Sequence, residues 1–289
     1  MKTILFLPHI SILNANALSS ACTVGFPAMT AWIGAVHALQ RKLNQDGFDE
    51  LCFESIGIAC HELDLQVYKG RGDFVYSIVG RGSPLEKDGS RSAFIEEARC
   101  HITVSLIIAC EGLPFDENEL LEILALHLHQ LKLAGGDILH FQPPELIKLH
   151  DENVHCSLMR RLMPAYILIE RRDLMIASMV KGKNALDSLL DYLTIQHRCE
   201  ISEVDGEVEW IKKRKIYGNI VPISTGFHGV SPLGRAENQR DQLVPHRFAE
   251  SVVTLGEFVR PYRIKNIDEM LWHYHADLKN NLYLCKQHS

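Results

Sequence analysis

Residues 101–136 read HITVSLIIACEGLPFDENELLEILALHLHQLKLAGG, and this stretch sets the fold class. Residues 102–110 form the longest apolar run in the chain, broken only by Thr103 and Ser105, and read as a buried strand. The period then changes. Leu120, Leu124, Leu128 and Leu131 recur every three or four residues and make one apolar helical stripe. Asp116 is placed to cap that helix, Glu119 completes a capping-box pattern, and Gly135-Gly136 predicts its stop.

Working outward, residues 3–7 predict a short central strand, and residues 11–27, rich in Asn, Ser, Ala and Gly, an ordered loop. Residues 29–43 predict a helix with Trp32, Val36, Leu39 and Leu43 on one stripe, Thr30 as its cap, and Arg41 and Lys42 in its last turn. Residues 51–68 read as two strands and 74–79 as another, with glycine- and arginine-bearing tips at 69–72 and 80–84. A further strand is expected at 165–170. This succession predicts an α+β, ferredoxin-like (RRM-like) fold, its helices on one face of an antiparallel sheet. Further on, Asn184 caps a helix to about Gln196 with Leu186, Leu189, Leu190 and Leu193 inward, and Asp205-Gly206 turns a hairpin. Helices are expected at 247–259 and 266–276. The organisation expected is a core over 1–175 with an insertion near 69–88, and an elaborated mixed region over 176–289 packed on it.

The chain has 289 residues, 46 % of them apolar and 23 % charged, ordinary globular figures. A formal charge of -6 excludes nucleic-acid binding by bulk positive charge. Charge is nevertheless segregated: residues 158–183 and 211–247 are basic, including Arg160-Arg161 and Lys212–Lys215, while 109–157 are acidic. The eight cysteines form no CxxC pair, which suits free thiols in a reducing compartment. Ile4–Leu7 is too short for a signal-peptide core and no later run suffices to span a bilayer, so a cytoplasmic location is expected, with no membrane partner.

Catalytic and metal motifs are sparse. There is no HExxH, GxSxG, Walker A or GxGxxG motif; His127/His129 and His273/His275 are spaced i, i+2, which points them apart on a helix. No metal, cofactor or catalytic residue is expected. One enzyme alternative remains: His101-Ile102-Thr103 and His155-Cys156-Ser157 resemble the paired His-x-Thr/Ser elements of two-histidine phosphoesterases, which need both imidazoles on paired strands. An RNA-binding reading has more behind it. Asn and Ser side chains at 11–20 suit hydrogen bonds to bases or a 2′-hydroxyl, and Phe74 and Tyr76 suit stacking. Arg71 and Arg81 sit at glycine-flanked tips, whereas Trp32 on its helical stripe suits the core. A third reading is a protein adaptor that touches no RNA.

Several blocks, in order along nearly the whole chain, carry a specific resemblance. They are residues 10–43 (ISILNANALSSACTVGFPAMTAWIGAVHALQRKL), 95–101 (IEEARCH), 131–139 (LKLAGGDIL), 160–164 (RRLMP), 221–223, 231–232, 247–250 and 271–276 (LWHYHA). Together they resemble the Csy-two family, the Cas5-like subunit of the type I-F CRISPR Csy surveillance complex. The resemblance implies a repeat-associated (RAMP) fold with an inserted thumb and no catalysis. It implies contact with the 5′ handle of CRISPR RNA, with a large Csy-type subunit and a backbone subunit, and with target DNA near the flanking motif. It points to Asn14, Asn16, Ser19, Ser20, His37, Gln40 and Arg41 for the handle, Gly135 and Gly136 for close backbone approach, and Arg99, Arg160 and Arg161 for phosphates. By position and composition, not by motif, residues 69–88 read as that thumb, with Arg71, Phe74, Tyr76 and Arg81 on it.

Overall fold

The computed structural model describes residues 2–82, 84–201, 208–239 and 241–287. Its first strand far outruns the expected five residues: β1 spans Lys2–Asn16. Two bulges make that possible. The register with its neighbour shifts between Leu7 and Ile10 and again between Ile12 and Ala15, where His9 and Asn14 adopt left-handed backbone, φ 48° and 57°. Each extra residue returns Ile10, Ile12 and Ala15 to the buried side. The loop expected over 11–27 is therefore mostly strand, ending in a small hairpin of β2 (Leu18–Ser20) and β3 (Thr23–Val24).

Helix α1 (Met29–Gln45) buries Trp32, Val36, Leu39 and Leu43 as expected, but it starts after Ala28 without a side-chain cap, and Thr30 lies inside its first turn. Trp32 is fully buried and its Nε1 donates to the Pro27 carbonyl at 3.3 Å; truncating it to Ala would cost about 3–5 kcal/mol. The two strands expected over 51–68 are very unequal, β4 (Cys52–Leu65) and the two-residue β5 (Val67–Tyr68). An arm follows, in which β5 (Val67–Tyr68) pairs with β6 (Ser77–Ile78) and β7 (Arg81–Gly82) with β8 (Phe94–Ile95). The strand expected at 74–79 shrinks to two residues.

β9 (Arg99–Glu111) is the buried strand the sequence announces. Asp116 caps α2 (Glu117–Gln130), accepting from the Asn118 and Glu119 amides at 3.0 and 3.1 Å. The glycine pair does not stop this helix. Leu131 is already extended, and Ala134-Gly135 (φ 49° and 77°) turns the hairpin of β10 (Lys132–Leu133) and β11 (Gly136–His140). β12 (Glu145–Leu149), α3 (Glu152–Arg161) and β13 (Tyr166–Glu170) come next, then α4 (Arg172–Met179) and α5 (Ala185–Leu193). On α5 Leu189 and Leu193 pack inward beside buried Ser188 and Tyr192, as expected, whereas Leu186 and Leu190 are exposed. β14 (Gln196–Ile201) pairs with β15 (Val208–Lys213), and the turn at Asp205-Gly206 lies outside the described residues.

Of the two C-terminal helices expected, 247–259 is strand and 266–276 is a 3-10 turn followed by strand. β16 (Asn219–Gly229) pairs with β17 (Ala249–Val259), which in turn pairs with β13. After the 3-10 turns Pro261–Arg263 and Ile267–Met270 come β18 (Trp272–Asp277) and β19 (Leu282–Gln287). The strands form an eleven-stranded sheet ordered β10-β11-β1-β9-β4-β13-β17-β16-β19-β18, with β12 on β1. Trp272 also pairs with Ile56 of β4, so the path from β4 through the C-terminal strands returns to β4. Helices cover both faces, not one. Trp32, Leu39, Leu120 and Leu124 of α1 and α2 pack on Leu5, Ile12, Ile58 and Val104, while Leu158 and Met159 of α3 pack on Ile4, Phe6 and Ile107 behind.

Candidate nucleic-acid interface

Three distant segments meet at one end of β1 and β9. Asn16 stands opposite Arg99 in the ladder, and the Asn16 amide donates to the Ala134 carbonyl at 2.8 Å, which ties the β10–β11 turn to the same corner. Between them lies a groove of about 470 Å³, floored by Pro27, Ala28 and Ala31 at the start of α1 and walled by Asn16, Glu97, Arg99 and Gly135.

Its chemistry suits an anion. Helix α1 enters the groove with no side-chain cap and no acidic residue in its first turn, so no side chain occupies its leading amides, of which that of Ala31 already donates to the Ala28 carbonyl at 3.0 Å. Arg99 Nη1 donates to the Asn14 carbonyl at 3.5 Å and Nη2 to Glu97 at 2.6 Å, while its buried Nε has no partner. Gly135 is exposed and would place a Cβ 3.9 Å from Arg99, so its lack of a side chain keeps the wall low. Gly136 is spent on packing: a Cβ there would sit 2.6 Å from Ile12 Cγ2 and 2.7 Å from the Leu13 carbonyl oxygen.

The asparagines shape the corner. Asn16 accepts from the Leu18 amide at 3.1 Å and donates to its carbonyl at 3.2 Å; the Asn14 amide donates to His101 Nδ1 at 3.2 Å. Ser19 and Ser20 both bond Thr23 Oγ1, at 2.8 and 2.6 Å, closing the β2–β3 hairpin.

The remaining expected residues lie elsewhere. Gln40 Oε1 accepts from the Phe53 amide at 2.8 Å, and His37 lines a small cavity with Phe53 and Tyr274, two or three turns along α1 from the groove. Arg41 is exposed further on. Arg160 and Arg161 end α3 on the opposite face. Arg161 lies 4.9 Å over the Phe6 ring and donates to Glu145 at 2.5 Å. Phe6 pairs with Ile107, eight residues from Arg99, or about 26 Å along β9.

The arm springs from the groove's edge: the Gln66 amide donates to the Arg99 carbonyl at 2.8 Å, and Val79 to Gln66. Phe74, 96 % exposed, and Tyr76 stand at its turn with Arg71, and Lys69 lies 5.6 Å over the Tyr76 ring. Arg81 pairs with Ile95 at its second rung.

The phosphoesterase geometry is not formed, because His155 lies on α3 and not on a strand beside His101. Among the described residues no group of three or more His, Cys, Asp or Glu is arranged to hold a metal, and no helix is long and apolar enough to cross a membrane. Sequence reasoning missed Glu97, although it stands two residues before Arg99 and period-two spacing puts both on one side. It also missed a histidine pair at two bulges against β9, His9 in β1 and His61 in β4, where the register shifts between Cys60 and Glu62. His9 and His61 stack at 4.1 Å, and His61 Nε2 lies 2.8 Å from Ser105 Oγ. Burial first, and then His9, push the His61 pKa down to about 4.

A sheet with helices on both faces, a projecting arm and an anion-suited groove define a mixed α+β protein that fits a RAMP-like body. The family model described as CRISPR-associated protein (Cas_Csy2) matches residues 5–285. The chain is also 34 % identical to "CRISPR-associated protein Csy2" of Pseudomonas aeruginosa (strain UCBPP-PA14), an alignment covering 98 % of this chain and 94 % of that protein. It belongs to the Csy2 family.

Proposed function

We propose that this chain is a non-catalytic, cytoplasmic subunit of an RNA-guided CRISPR surveillance complex, built on a ferredoxin-like RAMP core with the 66–95 arm as its thumb. It holds the 5′ handle of CRISPR RNA and pairs with a large Csy-type subunit and a backbone subunit, close to target DNA beside the flanking motif. The observation that carries the handle assignment is the start of α1, free of any side-chain cap, lining one groove with Arg99 and Gly135. Helix amides, a guanidinium fork and a bare backbone wall are the parts from which phosphate cradles are made. In such complexes base pairing supplies sequence and protein holds backbone geometry, so a net-acidic subunit needs only a few such contacts.

Arg160-Arg161, on the other face, serves a different stretch of RNA or a partner chain in this reading. The arm turn, with Phe74 and Tyr76 exposed beside Arg71, supplies stacking surface. Purifying the tagged chain with its partners from the native host and sequencing the bound RNA tests the proposal. Guide RNA with an intact 5′ end is expected. An assembly free of RNA, or one retaining it equally with Arg99→Ala, refutes the handle assignment.

A further inference from the structure

Round the sheet from the groove, a second cleft concentrates positive charge. About 350 Å³ opens between α5, the root of the β14–β15 hairpin and the segment leading to β16. Its lining brings together Lys183, Arg198, Lys213, Arg214 and Lys215 with a single carboxylate, Asp191. Lys183 and Lys215 both reach Asp191, and Lys215 lies 3.9 Å over the Tyr192 ring, which fixes the floor. Arg198 turns its guanidinium to Gln196 at 3.1 Å. Among the described residues, Arg198, Lys213 and Arg214 meet no carboxylate.

Arg198, Lys213 and Arg214 carry charge that no ion pair among the described residues uses. In the hairpin ladder Lys213 faces Gln196 and Lys212 faces His197. A hairpin stabilised by its charges would set opposite signs across from each other. Lys183 immediately precedes Asn184, the N-cap of α5, where the helix dipole disfavours a cation. The five cations are exposed in a chain whose formal charge is -6. Like charges gathered in a cleft focus a field that an anion relieves; Asp191 offsets one of the five, and the four left exceed what one phosphate or carboxylate can neutralise.

We propose that this cleft is a second phosphodiester-binding site, holding roughly two or three consecutive phosphates of a nucleic-acid chain without reading its bases. It is separate from the Arg99 groove. The two clefts share no lining residue. The proposal does not depend on the handle assignment.

The test titrates the full chain, across a range of salt, with a labelled duplex of arbitrary sequence and with single-stranded RNA of the same length. Lys213→Ala/Arg214→Ala is expected to lower the slope of log affinity against log salt by about 1.8 on duplex or about 1.4 on single strands. The charge-preserving pair Lys213→Arg/Arg214→Lys is expected to keep it. Loss confined to one probe assigns the cleft to duplex or to single strand, and either supports the site. Slopes unchanged on both probes overturn it, as does an equal loss in the charge-preserving pair. Arg99→Ala, run beside them, reports on the handle groove alone.

Discussion

Asn16 and Arg99 face each other across the β1–β9 ladder, yet each turns its polar end elsewhere: Asn16 to the Leu18 backbone, Arg99 to the Asn14 carbonyl and Glu97. The asparagine therefore builds the corner and the arginine presents charge. Glu97 holds that charge in place and partly cancels it.

This division of labour predicts opposite effects from neighbouring substitutions. In the assembled complex, Arg99→Ala is expected to weaken RNA binding and to lower the salt slope by about 0.7, one single-strand phosphate contact. Glu97→Gln is expected to tighten binding, since the guanidinium loses its competing carboxylate. Anisotropy titrations at several salt concentrations measure both, and weaker binding in Glu97→Gln argues that Glu97 positions the fork and does not compete for it.

Adjacent glycines in the β10–β11 hairpin differ in kind. Gly135 has left-handed backbone, φ 77°, but a Cβ there would meet only Arg99 and Asn16, at 3.9 and 4.0 Å, so Gly135→Ala is expected to cost about 1 kcal/mol. Gly136→Ala drives a Cβ into Ile12 and to 2.8 Å from the Ala15 amide nitrogen, and is expected to cost about 3 kcal/mol. Thermal denaturation ranks them. Equal losses mean that β1 yields at its second bulge.

What the sequence could show follows from how local each signal is. The α1 stripe and the Asp116 cap are read within a few residues, and both are present. β1 was cut short because bulges at His9 and Asn14 break its alternation. β17 was misread because Val252, Leu255, Gly256 and Val259 fall at i, i+3, i+4 and i+7, and a strand paired on both edges need not alternate. Asn16, Arg99 and Gly135 were each singled out, and strand pairing brings them together. Gln40 was not separable from them by sequence, because nothing local shows that its amide serves the Phe53 N–H. Nor does any local signal show that α1 begins without a cap.

The His9–His61 stack gives the fold an acid-sensitive point. The unfolded chain takes up a proton on His61 near pH 6.5, whereas the folded chain resists until about 4. The folded state is therefore expected to lose stability as pH falls through that window, by about 1–2 kcal/mol once screening of the half-exposed ring is allowed for. His61→Gln is expected to flatten this part of the profile. Urea midpoints between pH 4 and 7 measure it, and an unchanged profile in the variant assigns the loss to other groups.

The cysteines divide evenly. Cys60, Cys100, Cys110 and Cys285 are buried, and burial raises their pKa to about 12, 11, 11 and 12. Cys22, Cys52, Cys156 and Cys199 are exposed. A thiol reagent at neutral pH is expected to modify the four exposed residues quickly and the others only on unfolding, because the reactive thiolate is both scarce and inaccessible in the core. Mass spectrometry of native and denatured protein gives the sites directly. The same labels then report on the groove. Cys22 lies in the β2–β3 turn, whose strand β2 contributes Leu18 to the groove wall, whereas Cys156 lies on α3 behind the sheet. RNA seated against Arg99 is expected to slow modification of Cys22 relative to Cys156. Equal rates with and without RNA place the handle elsewhere on the chain.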